Sequence, residues 1–150
     1  KELREQVRRL IILFTKMPIF IDASVFCAFA NERDVHYKNA VKIIDDVIRS
    51  KYGKQVTTDY IFDEIIAVIT RRASRKIAKE FGTTLLNSEV FIAKVDSGVF
   101  QEAWEFFKNT ENFNFTDCTT LAFMKIFEIK KIATFDKEFK KVKWIDVIDS

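Results

Sequence analysis

From residue 19 to the end of the chain, short apolar runs alternate with stretches of helical periodicity. Ile19-Phe20-Ile21, Val56-Thr57-Thr58, Phe91 to Val95 and Ile132-Ala133-Thr134 are each too short for a helix. Near-continuous apolar runs of this length predict strands buried on both faces, as in a parallel sheet. Val142 to Val147 predicts a last strand at the sheet edge. Strands separated by helices predict an α/β fold: a doubly wound, mainly parallel sheet of about five strands flanked by helices.

The intervening segments carry their own signals. Val25, Phe26 and Phe29 predict a helix over about 23–31, and Val35, Ala40, Val41, Ile44, Val47 and Ile48 one over about 35–51, closed by Gly53 as its C-terminal cap. Asp59 is expected to cap a helix bearing Ile61, Ile65, Ile66, Val68 and Ile69. Residues 73–86 predict a further helix. Asp96 or Ser97 would cap one running through Phe100, Ala103, Trp104, Phe106 and Phe107, and Thr116 opens another with Leu121, Ala122, Met124 and Ile126. Ahead of the first strand, Leu3, Val7, Leu10, Ile11 and Phe14 form an apolar stripe, with Arg4, Arg8 and Arg9 off it. This predicts an amphipathic helical extension over 1–16, broken by Met17-Pro18. It either packs on the domain or docks on a partner or second subunit. Residues 17–150 are expected to form one domain, the default for a chain of 150 residues.

Composition removes several functional classes. Gly53, Gly82 and Gly98 are the only glycines, so neither Gly-rich phosphate-binding motif can be written. A single histidine rules out a multi-His zinc site, and Cys27 and Cys118 form no CxxC pair. A metal site here must be built from carboxylates, which selects a hard cation such as magnesium or manganese. No apolar run approaches the ~20 residues that span a bilayer. No membrane association and a cytoplasmic location are therefore expected. The net charge of +3 permits nucleic-acid binding without requiring it.

In open α/β sheets, ligands bind beyond the carboxyl ends of the strands. Asp22 follows the first strand, Glu64 lies two turns into the helix after the second, Asp117 is in the first turn of a helix, and Asp136 follows the fourth strand. A sheet wound as above lets all four face one crevice. Two carboxylates about 5 Å apart repel by roughly 3 kcal/mol at an effective dielectric of about 20. A divalent cation relieves that repulsion and supports hydrolysis of a phosphodiester. The commoner fate of any one such acid is capping or solvation, and Asp59 and Asp117 both stand where caps stand.

The residues around these acids resemble a known family. Ile21-Asp22-Ala23-Ser24 after a hydrophobic strand, Asp63-Glu64-Ile65-Ile66 in a mid-chain helix, Phe115-Thr116-Asp117-Cys118, and Ala133-Thr134-Phe135-Asp136-Lys137-Glu138-Phe139 resemble the motifs of PIN-domain nucleases in order, spacing and context. The resemblance runs from about Pro18 to Asp149, and the compact size is most similar to VapC-type toxins. It implies a PIN-like fold and a magnesium- or manganese-dependent endoribonuclease with Asp22, Glu64, Asp117 and Asp136 as catalytic, metal-holding acids. Asp22 and Asp117 would touch the metal, Glu64 would help hold it or orient water, and Asp136 would act through water or a second metal. Ser24 and Thr134 would hydrogen-bond the carboxylates. It further implies an RNA substrate, a homodimer, and an antitoxin partner whose segment covers the acidic groove. The alternatives are a PIN nuclease of RNA processing outside toxin systems, and a PIN-like module that binds RNA or protein without cutting. The N-terminal extension is not part of the minimal family pattern. A phosphoacceptor receiver would need an acidic pair after the first strand, and a dehalogenase-type phosphatase an acid at Ser24; the sequence has neither.

Arg71, Arg72, Arg75 and Lys76, with Lys79, form the densest basic stretch, read either as holding RNA phosphates or as a solvated helix face. Lys137, Lys140, Lys141 and Lys143 are weaker candidates for the same role. His36 is expected to cap or pack, both cysteines to fill the core, and Trp104 to lie in the core or a dimer interface.

Overall fold

In the computed structural model, which describes residues 1–7 and 18–150, five strands form one sheet. They are β1 (Ile19–Ile21), β2 (Gln55–Thr58), β3 (Phe91–Ala93), β4 (Lys131–Ala133) and β5 (Asp146–Ile148). Their order is β3-β2-β1-β4-β5 and every pairing is parallel. The expected doubly wound α/β arrangement is present, with parallel pairing throughout the described sheet. The most apolar run takes the central position: Ile19, Phe20 and Ile21 are all fully buried. The chain leaves β1 for β2 on one side and later returns to β4 on the other. The switch point therefore lies between β1 and β4.

The helices are α1 (Ala23–Phe29), α2 (Tyr37–Ile48), α3 (Asp59–Arg72), α4 (Arg75–Leu86), α5 (Ser97–Lys108) and α6 (Phe115–Ile126), followed by a 3-10 turn at Lys137–Lys141. α1 packs on α2 and α3, α3 on α4, and α5 on α6. Every residue of α6 from Cys118 to Met124 is buried, so this helix runs through the core rather than along its surface. Phe123 sits between Phe20 of the central strand, 5.9 Å away by ring centroids, and Phe127, 4.5 Å away.

Several expected boundaries move, for local reasons. Asp59 does not cap α3: Thr58 does, its hydroxyl accepting from the Ile61 N–H, and Asp59 becomes the first helical residue. Its carboxylate instead accepts from the backbone N–H of Val95 at 2.9 Å, tying the start of α3 to the chain beyond β3. Gly53 does not cap α2, which ends at Ile48. Ser50 (φ 60°) and Gly53 (φ 75°) both take left-handed conformations in the turn leading to β2. Asp96 is the cap of α5, accepting from Val99 N–H, and Asn114 rather than Thr116 opens α6. The last strand is shorter and later than 142–147, because a further turn at 143–144, closed by Ile145 N–H donating to the Val142 carbonyl, separates the 3-10 turn from it. Residues 2–7 are helical, but Leu3 and Val7 on the apolar stripe are exposed. The rest of the stripe, Leu10, Ile11 and Phe14, lies outside the described residues. No described helix is long and apolar enough to cross a membrane.

Phe123→Ala leaves a cavity facing the central strand and is expected to cost about 3–5 kcal/mol. Urea unfolding would read this as a lower midpoint at unchanged slope. A loss below 1 kcal/mol would place Phe123 outside the packed core.

Candidate active site

The β1–β4 register puts Ile21 opposite Ala133, so the two strands end level at the switch point. The next residue on β1 is Asp22, whose backbone N–H donates to the Ala133 carbonyl at 3.0 Å. Asp22 occupies the N-cap position of α1 but makes no side-chain capping bond. Its carboxylate is taken by hydroxyls instead: Thr134 Oγ1 donates to Oδ2 at 2.7 Å and Ser24 Oγ donates to the same oxygen at 2.9 Å. The two hydroxyls also organise the chain after β4. Ser24 Oγ accepts from Phe135 N–H at 3.1 Å, and Thr134 Oγ1 accepts from Asp136 N–H at 3.0 Å. Asp136 in turn caps the 3-10 turn, accepting from Glu138 N–H at 2.9 Å.

Above this network is a cavity of about 290 Å³. Asp22, Glu64, Asp117 and Asp136 all line it, so the four acids expected at strand ends and helix starts are brought together. A fifth carboxylate, Asp34, lines it too, with Ser24, Cys27, His36 and Phe135. Asp34 escaped notice in the sequence because it lies in the loop between α1 and α2, away from any strand end. The only local signal is Asp34-x-His36, an Asx-type turn in which the Asp34 side chain accepts from the His36 N–H at 2.8 Å.

Asp117 combines two tasks. Its Oδ2 accepts from Asn114 N–H at 3.2 Å while its own N–H donates to Asn114 Oδ1 at 2.8 Å, a reciprocal capping box at the start of α6. The same carboxyl also faces the cavity.

Burial and crowding weaken the acidity of Asp22, Glu64 and Asp117. Asp22 is 6% exposed, and burial pushes its pKa up against the lowering effect of Thr134, Ser24 and the Ala23 N–H, with Asp136 adding repulsion. Burial also raises Glu64, reinforced by Asp22 and Asp63. Asp117 is pushed from 3.8 to about 7, first by burial, then by Asp22, Asp136 and Glu64, against a lowering bond from Asn114. The Cys27 thiol rises to about 11 through burial and the nearby Glu64, Asp22 and Asp34, which leaves it a protonated thiol at neutral pH. Cys118 points into the core, fully buried.

Of the basic run, only Arg72 reaches this cavity. α3 ends at Arg72, and Ser74 caps a new helix by accepting from Ile77 N–H, so the run is divided between two helices. Arg75 and Lys79 line a separate hollow between α3 and α4, while Arg71 and Lys76 are exposed and line neither. Lys140 and Lys141 pair with Asp149 and Glu138. His36 makes no side-chain capping bond; its ring packs on Phe135. Trp104 is 49% exposed and not a core residue, packing edge-on to Phe115 and stacked on Phe107.

Among the described residues, no three His, Cys, Asp or Glu side chains are already gathered as a metal-ligand cluster; the acids ring the cavity. The donor set nevertheless suits a hard divalent cation: it is all carboxylate oxygen, and no described ion pair neutralises Asp22, Glu64, Asp117 or Asp136.

Burial, reinforced by the neighbouring acids, has a thermodynamic consequence at Asp117. The unfolded chain ionises Asp117 near its ordinary value of 3.8, while the folded, chelator-treated chain keeps it protonated up to about 7. Between those values the folded form binds more protons, so stability falls as pH rises through the window. Asp117→Asn keeps an acceptor for the capping box and removes the charge. It is expected to stabilise the metal-free protein at pH 8 by about 1–2 kcal/mol, a figure reduced for partial solvent screening. The gain should vanish near pH 4. Urea unfolding in EDTA at both pH values measures this; no gain at pH 8 would mean that neither burial nor the neighbouring acids disfavour the charged Asp117.

Comparison with known proteins agrees with this architecture. The chain is 24% identical over 131 residues to the 23S rRNA-specific endonuclease VapC20 of Mycobacterium tuberculosis, covering 86% of this chain and 97% of that protein. It is 27% identical over 127 residues to a VapC ribonuclease of Archaeoglobus fulgidus, covering 82% and 80%. The crystal structure of the M. tuberculosis VapC20, described as a sarcin-ricin loop cleaving toxin, has a similar fold, with a TM-score of 0.75 at 22% identity over 85% of this chain and 96% of that one. VapBC2 from Rickettsia felis, bound to a promoter DNA fragment, matches with a TM-score of 0.62 at 12% identity, over 87% and 97%. The PIN domain model matches residues 19–145, from the first residue of β1 to the edge of β5. With that span matched and the five-stranded parallel sheet in place, the chain belongs to the PIN domain family.

Proposed function

We propose that this protein is a magnesium- or manganese-dependent endoribonuclease that hydrolyses RNA phosphodiester bonds, the toxin of a toxin–antitoxin pair. The observation that carries the reading is the convergence of Asp22, Glu64, Asp117 and Asp136 on one cavity at the switch point. The relatives named as VapC ribonucleases, which align over most of this chain, support RNA as substrate and the toxin context. A VapBC complex among the similar structures supports a dedicated protein partner, an antitoxin.

In this reading Asp22 and Asp117 would hold the cation, with Glu64 and Asp136 completing its surroundings directly or through water. A bound cation supplies Lewis acidity and a counter-charge for displacement at phosphorus. The chain's own groups do the rest. Thr134 and Ser24 fix Asp22 by binding one of its oxygens and leave the other for the cavity. The capping box fixes Asp117 in the same manner. Arg72, which among the described residues brings the one guanidinium to the cavity, would offer it to a phosphate oxygen, where a planar fork suits bidentate contact. Homodimerisation belongs to the same reading.

The test is incubation of purified, antitoxin-free protein with mixed RNA in magnesium, in manganese and in EDTA. Cleavage is expected with either metal and not with chelator, and Asp22→Asn or Asp117→Asn should lower it on the order of a hundredfold or more. Metal-independent cleavage, or full activity in both variants, would overturn the reading. Thr134→Val removes one hydroxyl from Asp22 and the acceptor of the Asp136 N–H. It is expected to weaken metal affinity by roughly 10-fold while the protein remains folded, read by calorimetric metal titration. Unchanged affinity would show that Thr134 does not orient the acid.

A further inference from the structure

One part of the acid cavity's lining is a pair of stacked rings, between Asp34 and Asp136. There the His36 imidazole lies flat on the Phe135 ring, with centroids 4.4 Å apart and planes 8° from parallel. Both residues line the cavity. Both are anchored through their backbones: Phe135 N–H donates to Ser24 Oγ, the hydroxyl that also binds Asp22, and His36 N–H donates to Asp34 Oδ1. The imidazole makes no capping bond of its own, and His36 is exposed while Phe135 is half-buried. One face of the imidazole is therefore covered by Phe135, and the ring is open to solvent beside the acids.

A rigid ring pair of this kind has a plain use at a nucleic-acid site. Unstacked bases of single-stranded RNA bind by stacking on aromatic rings, histidine included, and such contacts tolerate any base because each has a π-face. We propose that His36, backed by Phe135, is the stacking platform for an unpaired nucleobase next to the phosphate held at the acid site. The ligand is a single-stranded RNA segment with one base turned out of its stack. The placement beside a scissile phosphate rests on the nuclease reading above; the stacking itself does not. The chain link from Ser24 Oγ to both Asp22 and Phe135 couples the two halves of the site, so the base contact and the acids share one support. Arg75 and Lys79, in their separate hollow, are not part of this platform.

The experiment uses the full chain carrying Asp117→Asn, so that the probe stays intact, and a single-stranded RNA oligonucleotide containing 2-aminopurine, whose fluorescence is quenched on stacking. Quenching on binding is expected. On this background His36→Ala should weaken binding on the order of tenfold and abolish the quench. His36→Phe should restore both, and His36→Lys neither. Equal affinity and quench in His36→Ala overturn the proposal. So does rescue by Lys in place of Phe, which would make the role one of charge, and so does failure of the RNA to bind. Cleavage by the chain with native Asp117 is measured in parallel. Absent cleavage with a His36-dependent quench removes the nuclease reading and leaves the platform. Metal-dependent cleavage with a His36-independent quench does the reverse.

Discussion

The level pairing of β1 with β4 is the constraint on which the rest of the site depends. Ile21 and Ala133 stand opposite one another, and the Asp22 N–H closes on the Ala133 carbonyl, so the chain leaves both strands at the same height. From that point Asp22 and Thr134 are neighbours across 112 residues of sequence, within hydrogen-bond reach. A slip of one residue would turn every side chain to the other face of the sheet and dissolve the contact. The register is secured by fully buried apolar residues on both strands, Ile19, Phe20, Ile21, Ile132 and Ala133. The core thus sets the position of the acids to within the length of a hydrogen bond.

Against that ordered frame, the acids are placed where they destabilise the fold. Asp22 is buried with two neutral hydroxyls for partners, and burial and the neighbouring acids push the Asp117 pKa up to about 7. Hydroxyls can donate to a carboxylate without cancelling its charge. A lysine in the same place would neutralise Asp22 and close the cavity to a cation. Ser24 and Thr134 therefore orient the acid while preserving its negative field. Unrelieved repulsion of this kind is expected where a site is built to take a charged ligand rather than to hold the fold together.

The fold was legible in the sequence because its strands are short, apolar and separated by amphipathic helices, a pattern that few architectures satisfy. The acids were legible for the same reason: Asp22 and Asp136 sit beside strand ends, and Glu64 and Asp117 on the helices that face them. What escaped were features decided by one side chain's choice of partner. Thr58 and Asp59 are both good caps; the hydroxyl takes the role, and the Asp59 carboxylate accepts from Tyr60 N–H and from Val95 N–H, 36 residues away. Asp34 sits in a loop, where neither period nor strand end points to it. The basic run reads as one patch in sequence, and only the break at Ala73-Ser74 shows that it belongs to two helices.

Asp117 shows why the functional and structural readings of such a residue need not compete. The capping box engages one of its oxygens and its backbone N–H, which satisfies the first turn of α6 and fixes the rotamer. Because Cys118 to Met124 of α6 are buried, the helix that follows that turn is held against Phe20 of the central strand through Phe123. The remaining oxygen is free to face the cavity from a rigid mount. A cap is thus the device that aims the acid, and the residue that burial and its neighbours make costly to ionise is also the one that starts the helix.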